Sequence, residues 1–72
     1  MLTAEKPEPH RQKFTALTLQ QCAERELKFR RDVYKRRVAE NRMSATLAHN
    51  EIAKMQAIAE HFAELVKSER LL

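Results

Sequence analysis

Apolar residues recur at helical spacing through the second half of the chain. From Ala48 onward they follow one another at alternating intervals of four and three residues, which is the pattern of a coiled-coil seam. No proline or glycine interrupts residues 45 to about 70, so this segment predicts one long helix. The seam comprises Ala48, Ile52, Met55, Ala59, Phe62 and Val66.

The first half predicts another long helix, with a more complicated pattern. Thr18 and Gln21 have the spacing of a capping box, and Leu17 and Cys22 that of a hydrophobic staple, so we expect this helix to run from residue 19 to about residue 40. Wound at about 100° per residue, its apolar side chains form two stripes rather than one. One stripe contains Cys22, Phe29 and Val33; the other contains Ala23, Leu27, Tyr34 and Val38.

Charged residues lie between these two stripes, among them Glu26, Arg30 and Arg37. A helix with two neighbours would use both stripes and would pair Glu26 with Arg30 one turn later. The alternative is that the arginines extend into solvent from a loosely packed edge. The sequence leaves both interpretations open.

The connection between the helices predicts how they pack. Because the chain has no glycine, Asn41 is the best residue for a left-handed C-cap, and Ser44 is a favoured N-cap. So short a loop predicts an antiparallel hairpin, and a lone hairpin leaves half of each seam exposed. The predicted fold class is therefore all-α: a two-helix antiparallel hairpin that dimerises into a four-helix bundle. Its predicted core residues are Leu27, Phe29, Val33, Ile52, Met55, Ala59, Phe62 and Val66.

The two prolines, Pro7 and Pro9, separate an N-terminal arm from the hairpin. We expect residues 1–14 to be flexible and residues 15–72 to form the helical domain. No apolar run has the length of a signal peptide or of a membrane span. Cys22 is the single cysteine, as is common in a reducing compartment. These features predict a soluble, cytoplasmic protein.

Candidate chemistry is sparse in a chain of 72 residues, which leaves little room for a catalytic pocket, so we expect no enzyme. The absence of glycine excludes glycine-rich phosphate loops. His49 and His61 have no accompanying ligand motif, so we expect surface histidines and no metal. Cys22 lies in an apolar stripe and is expected to be a small buried hydrophobe. The sequence implies no cofactor and no small-molecule substrate.

Charge is concentrated in residues 28–42, which hold seven basic side chains and two acidic ones. Three interpretations remain open: a solvated helix face, a nucleic-acid surface or a protein-binding surface. The candidate partner-binding residues are Arg30, Arg31, Tyr34, Lys35, Arg37 and Arg42.

A nucleic-acid interpretation requires a dimeric hairpin that lays its basic helices along phosphates of RNA or DNA. Acidic side chains interrupt the same helix and would repel phosphate. These are Glu24, Glu26, Asp32 and Glu40.

A protein-binding interpretation is based on residue type. Arginine and tyrosine dominate the energetics of protein interfaces, and Arg30, Tyr34 and Arg37 follow one another at intervals of four and three residues. The same spacing would also suit Tyr34 as a core aromatic residue with its hydroxyl at the rim. Both interpretations of Tyr34 stay open.

A motif covering residues 29–58 resembles short proteins encoded by tailed phages and prophages of proteobacteria. Those proteins share a basic segment with Val-Tyr, a turn ending in Arg-Met and Ser or Thr, and a helix with Glu-Ile and a following Met. Asn41 stands where their glycine is usual, and residues 35–37 replace a Pro-aromatic pair. The matching residues are Val33, Tyr34, Arg42, Met43, Ser44, Glu51, Ile52 and Met55.

The resemblance implies a phage origin and, with it, the cytoplasm of a host bacterial cell. Small phage proteins commonly bind and disable host proteins, and helical-hairpin dimers occur among anti-activators of quorum-sensing transcription regulators. By this analogy, we expect an inhibitor that covers the functional surface of a host regulatory protein. The alternative is a dimeric hairpin that binds the backbone of RNA or DNA.

Overall fold

The computed structural model describes residues 13–71, which form two α-helices packed as a hairpin. Helix α1 spans Ala16–Ala39 and helix α2 spans Ala45–Arg70. The described residues contain no strand, so the predicted all-α hairpin is confirmed. Most of the predicted N-terminal arm, residues 1–12, and Leu72 lie outside the described residues.

Helix α1 begins one turn earlier than the sequence analysis expects. Thr15 is the N-cap, because its Oγ1 accepts a 3.0 Å hydrogen bond from the amide of Thr18. The two threonine hydroxyls are also 2.8 Å apart. The expected cap at Thr18 is therefore wrong, and Leu17 and Cys22 do not occupy staple positions. The earlier start adds Ala16 to the buried residues of the helix.

Helix α1 ends in a Schellman motif centred on Asn41. The amide of Asn41 donates to the carbonyl of Val38 (3.0 Å), and the amide of Arg42 donates to that of Arg37 (2.7 Å). Both bonds require a residue in the left-handed region at Asn41, whose φ is 61°. Ser44 then caps α2 by accepting a 3.0 Å hydrogen bond from the amide of Leu47. Both predicted caps at this turn are confirmed.

We expect Asn41→Val to lower the free energy of unfolding by about 1–2 kcal/mol, because a β-branched residue resists positive φ. Asn41→Gly should not show this loss, since glycine adopts the left-handed region without a steric cost. Urea denaturation of both variants beside the parent measures the difference. Equal midpoints for the valine and glycine variants would contradict a left-handed cap at this position.

The core between the helices is built from small side chains. Ala23 and Leu27 of α1 cluster with Met55 and Ala59 of α2, and Ile52 packs against them. Four of the seven buried residues are alanines, and none of the described side chains is less than 2% exposed. Alanine permits close approach of two helices but removes little apolar area from water. The predicted seam of α2 is confirmed, yet the core of one hairpin is thin.

The two predicted stripes of α1 have different environments. The stripe containing Ala23 and Leu27 faces α2, while Cys22 and Phe29 are exposed. The expectation that Cys22 is buried is therefore wrong, and Phe29 does not belong to the core of the hairpin. The reason is geometric: at about 100° per residue, Cys22 and Phe29 lie about 140° and 160° around the helix from Leu27, so they point away from α2 when Leu27 faces it.

Candidate functional site

Exposed and half-buried apolar side chains collect on one side of the hairpin, which we call the apolar face. From α1 it includes the stripe of Cys22, Phe29 and Val33, extended by Leu19. From α2 it includes residues spaced seven apart along one line, such as Ile58 and Leu65. The most exposed members are Phe29 (56%), Leu47 (49%), Ile58 (45%) and Leu65 (38%). The apolar face comprises Leu19, Cys22, Phe29, Val33, Leu47, Ile58, Phe62 and Leu65.

A groove of about 310 Å³ lies in the apolar face between the two helices. Cys22 and Ile58 stand on its opposite walls, and Met55 contributes to its lining. The opposite side of the hairpin is more polar, with Gln56, Glu60 and Lys67 along its own depressions. The hairpin is therefore amphipathic as a whole, beyond the amphipathic pattern of each helix.

Four charged residues, the charged cluster, cross the middle of the apolar face. Arg30 Nε donates to Glu26 Oε2 at 3.0 Å, so the predicted pair within α1 is confirmed. Arg30 Nη1 also donates to the backbone carbonyl of Glu51 at 2.8 Å and lies 3.7 Å from Glu51 Oε1. Lys54 Nζ binds Glu51 Oε2 at 2.9 Å. Two positive and two negative groups thus form a neutral network that joins α1 to α2.

The charged cluster also affects the titration of Glu51. The Lys54 ammonium, by its hydrogen bond and its charge, lowers the pKa of Glu51 below the ordinary value of 4.5. Partial desolvation opposes this change, and the Arg30 guanidinium reinforces it. The lowered pKa means that the fold favours the ionised form of the Glu51 carboxylate.

The end of the hairpin near the turn is basic, and we call it the basic end. Residues 31–50 hold five basic side chains and two acidic ones. Glu40 pairs with Arg42 at 3.5 Å, and Asp32 pairs with Lys28 just outside this segment at 3.4 Å. The five basic residues are Arg31, Lys35, Arg36, Arg37 and Arg42.

Tyr34 and Arg37 form a preassembled pair within the basic end. The guanidinium carbon of Arg37 lies 5.8 Å from the centre of the Tyr34 ring, at cation–π distance. Tyr34 is half-buried and Arg37 is exposed. The aromatic ring thus holds an arginine toward solvent, which reduces the entropy that Arg37 would lose on binding.

The candidate partner-binding residues do not form one continuous surface. Arg30 is occupied by its contacts within the hairpin. Arg31 donates across to Gln56 Oε1 on α2 at 3.1 Å. Lys35, Arg37 and Arg42 remain exposed at the basic end.

Sequence reasoning missed Glu51 and Lys54 as members of a network. Their opposite charges stand three residues apart on α2, which is a recognisable helical pairing signal. The contact of Glu51 with Arg30 needs the register between the helices, which no local pattern supplies. The contact of Gln56 with Arg31 was missed for the same reason.

His49 and His61 are exposed as expected, and the His61 ring packs edge-on against Phe62 with centroids 5.3 Å apart. Residues 13–71 contain no group of three or more His, Cys, Asp or Glu side chains placed to hold a metal ion. Neither α1 nor α2 is long and apolar enough to cross a membrane.

Comparison with family models, curated proteins and solved structures finds no match to this chain. The resemblance to small phage proteins therefore depends on its short motif alone.

Proposed function

We propose that this protein is a homodimeric interaction module that binds a host regulatory protein and inhibits it by covering its functional surface. The observation that carries the proposal is the apolar face, which a single hairpin leaves uncovered. Monomeric proteins rarely expose a contiguous apolar patch of this kind unless it serves binding. The basic end supplies a second, chemically different surface for a partner.

The thin core supports the proposed dimer. A chain of this size obtains only a few kcal/mol from one core and generally needs a metal, disulfides or a second subunit. Cys22 is the single cysteine, which excludes an internal disulfide. Pairing two hairpins into a four-helix bundle would cover the exposed leucines and isoleucine of the apolar face.

The basic end indicates the chemistry of the partner. Lys35 and Arg37 are exposed cations without an ion-pair partner among the described residues, and Tyr34 orients Arg37. Arginine and tyrosine are frequent anchors of protein interfaces. We therefore propose an acidic patch on the partner protein. We assign Arg30 to the hairpin rather than to this patch, because its guanidinium already has protein partners.

Two ion pairs count against phosphate as the ligand. Asp32 binds Lys28, and Glu40 binds Arg42, so carboxylates would stand beside any phosphate that approached these cations. A protein partner can instead place acidic groups opposite the cations and basic groups opposite the two carboxylates. The motif resemblance to phage proteins supports a host regulator, such as a quorum-sensing transcription regulator, as the partner class.

Capture from host lysate tests the partner surface. The variant Lys35→Gln, Arg37→Gln, Arg42→Gln removes three cations from the basic end and leaves the core untouched. We expect the amount of captured protein to fall by about tenfold or more, because removal of anchor residues weakens an interface strongly. The matched control, Arg25→Gln, Lys67→Gln, Arg70→Gln, removes the same charge from exposed positions elsewhere and should retain the protein.

The control distinguishes a specific surface from net charge. Equal loss in both variants would show that only overall charge matters and would contradict the proposed site. Captured nucleic acid whose binding falls steeply with salt would favour the alternative function, because phosphate binding releases counterions.

A further inference from the structure

We infer that the second copy of the chain packs on the apolar face with the two hairpins antiparallel. The charged cluster of each copy then lies against that of the other, and the two basic ends lie at opposite ends of the dimer. This inference rests on the dimer proposed above and specifies its surface and its orientation.

The size of the apolar face suits a second copy. The face runs from Leu47 to Leu65 along α2, a length of about 28 Å, and two packed helices give it a width of about 18 Å. Such a face covers about 500 Å² on each copy, or about 1,000 Å² in total, which reaches the lower limit expected of a biological interface. Self-association requires no second complementary surface, because a two-fold axis places the same patch of each copy against that of the other.

The charged cluster restricts how the copies meet. Arg30, with Glu26 and Glu51, lies midway along the face, so a displaced register would press these charges against Ile58 or Leu47 of the other copy. Burying charge against apolar groups is costly. A two-fold axis at the level of the cluster avoids this cost, because it places one neutral network on another. Parallel and antiparallel hairpins both satisfy this condition.

Charge distribution selects the antiparallel orientation. Residues 31–50, at the basic end, hold five basic and two acidic side chains. Residues 13–25 and 56–71, at the open end, hold four basic and four acidic ones. A parallel dimer would place two positive ends side by side, whereas an antiparallel dimer places each positive end beside a neutral one. Like charges so close would oppose assembly, especially at low salt.

Paired substitutions test the surface. Ile58 on the apolar face is 45% exposed, and Leu17 on the other side of the hairpin is 43% exposed. Ile58→Asp should raise the dimer dissociation constant by at least about tenfold, because it buries a carboxylate in the interface. Leu17→Asp should leave the constant within about twofold. Sedimentation equilibrium measures both, and circular dichroism confirms that each variant stays helical at the concentration used.

A spin-label distance tests the orientation. Ala39 is exposed at the end of α1, and Ala39→Cys in a Cys22→Ser background gives one label per copy. An antiparallel dimer places the two labels about 33 Å or more apart, from about 1.5 Å per residue on either side of the cluster. A parallel dimer places them within about 25 Å.

The outcomes separate this inference from the proposal beneath it. A wild-type chain that sediments at 8.5 kDa at micromolar concentration contradicts the dimer itself. A wild-type dimer that Ile58→Asp leaves intact contradicts the apolar face as its surface. A dimer with the short label distance contradicts the antiparallel orientation.

Discussion

Leu27→Ala should leave most of the chain unfolded at room temperature in dilute solution. Leu27 is the largest buried side chain that α1 contributes to the core, where it packs with Met55 and the alanines of both helices. Truncation of a buried leucine costs about 2–5 kcal/mol. The free energy of unfolding of a chain of this size is only a few kcal/mol, so the substitution removes most of that stability. Far-UV circular dichroism during a urea titration measures the loss.

Leu17→Ala is the matched control, because it makes the same chemical change at an exposed position of the same helix. We expect a change of about 0.5 kcal/mol or less there. Similar urea midpoints for the two alanine variants would contradict the core assigned to the hairpin.

Protein concentration gives the same variant a second use. If the folded state is a dimer, raising the concentration of the Leu27→Ala chain should restore helix, because association draws the equilibrium toward the folded state. A hundredfold increase in protein concentration favours association by roughly 2.7 kcal/mol. A helical fraction that stays constant over this range would indicate that folding is independent of association.

The fold was predictable where a local pattern decides it. Helix α2 has one apolar seam, and its observed bounds agree with the predicted ones. Asn41 and Ser44 have few competing roles at the turn, and both act as expected. The start of α1 was not predictable in this way, because Thr15 and Thr18 are both good N-caps. The additional turn and its buried Ala16 favour the earlier residue.

The environment of the two stripes of α1 required tertiary information. Periodicity shows that Cys22 and Phe29 share a side of the helix and that Ala23 and Leu27 share another. It does not show which side faces α2, because both stripes are apolar. That α1 has two neighbours was one of two open interpretations, and the structure shows one neighbour, α2. The second neighbour stays a prediction, and the exposed Phe29 is the reason to seek it.

The candidate site was predictable to the extent that its contacts are local. The pair Glu26–Arg30 follows from spacing within one helix and was expected. The contacts of Arg30 with Glu51 and of Arg31 with Gln56 depend on the register between the helices. Sequence reasoning placed Arg30 and Arg31 together on a partner surface. In the structure they contact α2 on opposite sides of the hairpin, Arg30 at Glu51 and Arg31 at Gln56.

Arg30→Met should lower the free energy of unfolding by about 1–2 kcal/mol. The substitution keeps much of the apolar stem but removes the charged hydrogen bonds to Glu26 and to the carbonyl of Glu51, and bonds of this type contribute more than neutral ones. Arg30→Lys should recover little of the loss, because an ammonium cannot reproduce the planar fork that reaches both helices. Urea denaturation of the two variants measures the difference.

The pair of Lys28 with Asp32 is the internal control for Arg30. It has the same spacing on the same helix, but the side chain of Lys28 is 80% exposed and that of Arg30 only 23%. Exposed pairs of this type contribute about 0.3–0.5 kcal/mol, so Lys28→Met should have a much smaller effect. Comparable losses for Lys28→Met and Arg30→Met would show that Arg30 acts only as a surface charge.

Acid titration separates the charge of the network from its packing. Because the pKa of Glu51 is lowered in the folded state, its stabilising contribution is present above the ordinary carboxyl value and is lost as the pH falls through the lowered one. The parent should therefore lose more stability on acidification below pH 4.5 than Glu51→Gln does. Lys54→Met should reduce the same acid sensitivity, because Lys54 is the main cause of the lowered pKa. Identical acid profiles for the parent and Glu51→Gln would contradict a stabilising role for the Glu51 carboxylate, whereas a reduced slope in both variants would show that the ionised Glu51–Lys54 pair stabilises the fold.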